Sequence, residues 1–81
     1  MEKFYVYGHY KPDSDIPFYI GKGCRNRAFI KSNRGKYWKR IVAKYGYRVE
    51  IMYDNLSESM ALMLERETRI ANPTLKNIRN I

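Results

Sequence analysis

The chain has 81 residues, 16 of them Lys or Arg against 8 Asp or Glu, for a formal net charge of +8, and 44% are hydrophobic. That length accommodates one hydrophobic core, so a single domain over residues 1–81 is expected, and the apolar content excludes a disordered polycation. One cysteine (Cys24) and one histidine (His9) exclude a disulfide framework and a Cys/His zinc module, and the sequence shows neither a membrane-spanning run nor a signal-peptide pattern, so an intracellular protein is expected.

In chain order, Lys3 to Tyr10 is a β-branched and aromatic run suited to a strand. Lys11 to Ile16 has the Pro, Asp and Ser of a turn, and Pro17 to Gly21 forms a second strand, giving an antiparallel hairpin with a loop of about six residues. Gly21-Lys22-Gly23 is expected to break that strand, and Cys24 to Ser32 to form a short basic helix. Lys36 to Tyr45 reads as a helix, with Trp38, Ile41, Val42 and Tyr45 on one face and Gly46 ending it. Tyr47 to Tyr53 alternates, which predicts a half-buried strand with Tyr47, Val49, Ile51 and Tyr53 inward. A last helix is expected from about Ser57 to Ala71, capped by Asn55 or Ser57 and burying Met60, Met63, Leu64 and Ile70 or Ala71. The tail from Thr74 has no clear period. The expected fold class is α+β, a three-stranded antiparallel sheet flanked by helices in the order β-β-α-α-β-α.

The charge is unevenly placed. Ten cations lie between Lys22 and Val49, and no acid does; all eight acids lie outside that window. A surface evolved only for solubility mixes its signs, so this polarity points to a phosphate backbone, and Lys31, Arg34, Lys36, Lys39, Arg40 and Lys44 are candidates to grip it. An anionic membrane surface is a weaker reading, since no anchor accompanies the cations. Trp38 fits a core position better than a base-stacking one, given its helical company.

Familiar catalytic patterns fail. No phosphate-binding Gly-Lys-Ser/Thr loop occurs, and no Ser/His/Asp or Cys/His set has a local signature. His9 reads as structural or exposed, and Cys24, although it follows a cationic turn, has no visible partner for catalysis. More distinctive is a pair of tyrosine motifs, Tyr5-Val6-Tyr7 and Tyr19-Ile20-Gly21, with eleven residues between Tyr7 and Tyr19.

These two motifs resemble the signatures of the GIY-YIG nuclease superfamily, in its compact Gly-Lys-Gly variant. The resemblance continues through Gly21-Lys22-Gly23 and Arg25 to Phe29, through Leu64-Glu65-Arg66-Glu67, and through Leu75-Lys76-Asn77. Tyr5 stands where the family has its first Gly, and Lys31 where some relatives carry His. The resemblance implies a metal-dependent DNA endonuclease that hydrolyses phosphodiester bonds. Glu65 would hold one divalent cation, Mg²⁺ or Mn²⁺, with Glu67 the less suitable ligand because it points elsewhere on the helix. Tyr7 would be the base or water-orienting group, with Lys22 favouring its phenolate and Tyr19 in the same cluster. Arg27, or failing that Arg25, would bind the scissile phosphate, and Asn77 would tie the tail to the site. No separate DNA-binding part is visible, which leaves specificity to a homodimer, a separate specificity protein or DNA shape. The alternative is a nucleic-acid-binding module with the same fold and no activity.

Overall fold

The computed structural model describes residues 3–32 and 34–72. Strand β1 (Phe4–Tyr10) is central in a three-stranded antiparallel sheet, with β2 (Pro17–Cys24) on one side and β3 (Arg48–Leu56) on the other. Covered on both faces, β1 has every residue from Tyr5 to Tyr10 buried, which suits its aromatic and β-branched sequence. Helices α1 (Lys36–Tyr45) and α2 (Glu58–Ala71) complete an α+β fold.

Two expectations fail around β2. The strand does not stop at Gly21 but pairs through to Cys24, opposite Phe4. The glycines serve close approach here: a Cβ on Gly21 would lie 2.6 Å from the Tyr7 hydroxyl, and one on Gly23 would lie 2.6 Å from Arg27 Cβ. The helix expected over Cys24 to Ser32 is only a 3₁₀ turn, Arg27–Phe29. The observed order is therefore β-β-α-β-α with that turn between β2 and α1.

Helix α1 ends at Gly46, whose φ of 79° favours glycine and whose N–H donates to the Val42 carbonyl. Ser57 caps α2, accepting from the Met60 N–H at 3.2 Å. The α2 packing stripe differs from the expected one. Ala61 is fully buried and Leu64, Glu65 and Thr68 are half-buried, whereas Met60, Met63 and Ile70 are exposed. Strand β3 begins at Arg48, one residue later than expected; Tyr47 just before it and Val49 within it pack on the core as expected, but Ile51 and Tyr53 are exposed. Register shifts at Val6 break the alternation, and Met52 and Leu56 pack inward instead. No helix among the described residues is long and apolar enough to cross a membrane.

Candidate functional site

Alternation along β1 sends Tyr5, Tyr7 and His9 to one face of the sheet, opposite Gly23, Gly21 and Tyr19 of β2. Their rings meet in sequence: Tyr5 on Tyr7 with centroids 5.8 Å apart, Tyr7 on His9 at 5.1 Å, and His9 on Tyr19 at 5.4 Å. Tyr7 is fully enclosed. Burial is the main reason the Tyr19 phenol is pushed up to about 12, with the adjacent Tyr7 phenol raising it further and the Arg34 and Arg27 charges opposing.

This aromatic layer holds the segment that carries Arg25 and Arg27. The Tyr5 hydroxyl donates to the Arg25 carbonyl at 2.7 Å and accepts from the Ala28 N–H at 3.0 Å. Arg25 has a φ of 56°, a left-handed conformation unfavourable for a residue with a side chain. Trp38 Nε1–H donates to His9 Nδ1 at 2.8 Å, so the imidazole proton sits on Nε2 and is donated to the Ala28 carbonyl at 2.7 Å. Burial holds the His9 imidazole down at about 4, the Ala28 hydrogen bond opposes this, and the Arg34 and Arg27 charges reinforce it. His9 is thus a neutral anchor, and Trp38, only 2% exposed, is a core residue that no base can reach.

Arg34 corrects the sequence reading most sharply. It is 5% exposed and cannot grip a backbone from the surface. Its Nε donates to the Ile30 carbonyl at 2.9 Å, Nη2 to the Arg27 carbonyl at 3.0 Å, and Nη1 to the Tyr7 hydroxyl at 3.2 Å. The guanidinium also lies over the Tyr19 ring, 5.1 Å from its centroid. A charge taken out of water needs such partners, and the delocalised fork of Arg suits them better than Lys.

Lys22 alternates with Gly21 and Gly23, so it leaves the sheet on the face opposite Tyr7. There its Nζ pairs with Glu58 of α2 at 3.2 Å. It therefore does not assist the Tyr7 hydroxyl as expected. Lys22, Arg25 and Arg27 do converge elsewhere: they line one cleft of ≈310 Å³ at the outer edge of β2, together with Gly23, Asn26 and the apolar Phe4. Three cations, one of them already paired with Glu58, thus border one largely apolar cleft.

Glu65 lies on the inward stripe of α2, half-buried, and among the described residues it makes no ion pair, with Arg69 or otherwise. It stands two turns beyond Glu58, roughly 10 Å along the axis. Glu67 is exposed, as its helical offset predicts. No group of three His, Cys, Asp or Glu occurs among the described residues. A lone, unpaired carboxylate still fits a hard divalent cation that completes its shell with waters and phosphate oxygens. Lys31, Lys36, Lys39, Arg40 and Lys44 are all exposed. Asn77 lies outside the described residues.

Alternation along the first strand already puts Tyr5, Tyr7 and His9 on one face, with Tyr5 beside the site and His9 structural, as observed. What sequence reasoning missed is their hydrogen bonding to the Arg25–Ala28 turn and the buried role of Arg34, which carries no signal among so many cations. Comparison with known proteins yields no match to a family model, to a curated protein or to a solved structure.

Proposed function

We propose that this protein is a metal-dependent DNA endonuclease of the GIY-YIG type that binds the scissile phosphate in the β2-edge cleft. The observation that carries this reading is the convergence of Lys22, Arg25 and Arg27 on one cleft, beside a turn held by the buried hydrogen bonds of Ala28 to Tyr5 and His9. Donors fixed before substrate arrives stabilise the charge that develops on a phosphoryl group without reorganising. The motif resemblance supplies the reaction class.

Arg27 binds and orients the phosphate with its planar fork, Arg25 neutralises the flanking charge, and Lys22 joins them by exchanging its exposed Glu58 contact for a phosphate oxygen. Glu65 would hold the divalent cation, which supplies Lewis-acid polarisation and an acidified water when bound. Tyr7 takes a different role from the expected one. Its enclosed hydroxyl meets Arg34 rather than water, so Tyr7 is a positioning residue that acts through Arg34 on the Arg27 backbone. Exposed cations on α1 extend the grip along the strand, giving affinity without sequence readout.

The enclosure of Tyr7 also favours a second reading, a nucleic-acid-binding module that cuts nothing. Incubation of supercoiled plasmid with the protein and Mg²⁺ or Mn²⁺ separates the two. Nicking is expected, with loss of at least about 100-fold in both Glu65→Ala and Arg27→Ala. Tight binding to several DNA structures without any cut would establish the module instead.

A further inference from the structure

We propose that the cleft between the β1–β2 loop and α1 is a second binding site, and that it takes a single unpaired nucleotide. The proposal rests on the nucleic-acid reading above. The cleft measures ≈420 Å³, within the rough 300–1,000 Å³ range of small-molecule sites. Lys11 and Phe18 line its hairpin side, and Tyr37, Arg40, Lys44 and Tyr45 its helical side. It is distinct from the β2-edge cleft. Phe18 and Gly23 stand five residues apart on one strand, roughly 17 Å by the rise of an extended chain.

The chemistry of the lining has two halves. Tyr37 and Tyr45 are 44% and 47% exposed, so their rings are available to a ligand rather than used in the core. Lys11 Nζ and Lys44 Nζ both lie over the Tyr45 ring, 4.4 Å and 5.2 Å from its centroid. Two ammonium groups thus share one ring, with Arg40 on the same helical stripe. Among the described residues none of the three pairs with a carboxylate. Like charges gathered without a counter-charge favour an incoming anion. Exposed cation–π contacts are weak and exchange readily for a stacked base.

A base joined to a phosphate uses both halves at once. A simple anion would use only the cations, and an apolar ligand only the rings. Within a duplex the faces of a base are already stacked, so the site selects unpaired nucleotides. The occupant is either a nucleotide within a single strand or a free nucleotide, which share this chemistry.

Fluorescence anisotropy on the full chain tests the proposal, using a short single-stranded DNA and its duplex, without divalent cation. Tyr37→Ala and Tyr45→Ala should each weaken single-strand binding by roughly 5-fold or more and change duplex binding by less than about 2-fold. Tyr45→Phe should keep wild-type affinity, and Lys44→Ala should weaken both forms. Displacement of the single strand by deoxyadenosine monophosphate, but not by inorganic phosphate, would identify a site open to free nucleotides. Failure of the monophosphate alongside intact tyrosine effects would restrict the occupant to strands. Unchanged single-strand affinity in both folded Tyr→Ala variants, or equal losses on duplex, overturns the proposal. If duplex binding is normal in that case, the β2-edge reading survives. If the wild-type protein binds neither form, both readings fall together.

Discussion

The guanidinium of Arg34 donates to the hydroxyl of Tyr7 at 3.2 Å, and through its other nitrogens to the carbonyls of Arg27 and Ile30. One buried side chain therefore ties a central strand to the turn that carries the phosphate-binding candidate. Arg34→Met keeps much of the volume but removes the donor to the buried Tyr7 hydroxyl and to the part-buried Ile30 carbonyl, and leaves the Arg27 carbonyl only the Ile30 N–H, so it should cost about 2–4 kcal/mol in urea unfolding. Arg34→Lys cannot reproduce the fork and should recover less than half of that. Lys39→Ala, at an exposed position, should stay within about 0.5 kcal/mol of wild type. Equal stabilities for Arg34→Met and Lys39→Ala would refute the assignment.

His9 makes stability depend on pH with a defined sign. Burial, with the Arg34 and Arg27 charges, holds its folded value at about 4 from the usual 6.5, against the Ala28 hydrogen bond. Between those values the unfolded chain binds a proton that the folded chain refuses, so stability rises with pH. The contribution is fully present above 6.5 and is lost as pH falls toward 4, amounting to about 3 kcal/mol. Unfolding midpoints collected over roughly pH 5 to 7 should climb in wild type, and the climb should flatten in His9→Gln. A parallel slope in the two proteins would assign the pH dependence to the carboxylates.

The two β2 glycines should separate stability from function. A Cβ at Gly21 meets the Tyr7 hydroxyl oxygen and Cζ at 2.6 and 2.7 Å, atoms enclosed in the core. Gly21→Ala should therefore destabilise by about 1–3 kcal/mol. At Gly23 the Cβ meets Arg27 Cβ and Cγ at 2.6 Å, on a half-buried residue at the cleft. If Arg27 holds the phosphate as proposed, Gly23→Ala should displace it and weaken DNA binding by roughly 5-fold or more. Binding isotherms beside melting curves decide the matter. Loss of binding only in proportion to loss of fold would remove the distinction.

Local rules made much of this legible from sequence. The hairpin, the span of α1 with its closing Gly46, and the Ser57 cap each follow from a few adjacent residues. The packing face of α2 did not, because Met60 to Leu64 is an unbroken apolar run that covers most of the helix circumference. Small Ala61, not the larger Met60 or Met63, faces the sheet where the helix comes close. Lys22 is a matter of parity: continuing β2 through Cys24 puts it on the α2 face, and reading Gly21-Lys22-Gly23 as a break hides that. Arg34 was illegible because sequence displays a charge but not its burial. Its role depends on Ile30, Arg27 and Tyr7 meeting in space.

Tyr5 occupies the position where the resemblance has glycine, and its hydroxyl replaces backbone freedom with a hydrogen-bonded clamp. It bridges the Arg25 carbonyl and the Ala28 N–H, spanning the residue held at a φ of 56°. Tyr5→Phe keeps the ring on Tyr7 but removes both bonds, leaving the buried Ala28 N–H without its acceptor, and should cost about 1–3 kcal/mol. Without the clamp the left-handed backbone at Arg25 has less to hold it, so the turn should open locally before the fold does. Trypsin cleavage after Arg25 or Arg27 under native conditions should therefore accelerate by roughly 10-fold or more in Tyr5→Phe, which is the same free energy read as a population. Cleavage at Lys39 and Lys44 on α1 should not change. If all sites accelerate together, Tyr5 stabilises the whole domain rather than the turn.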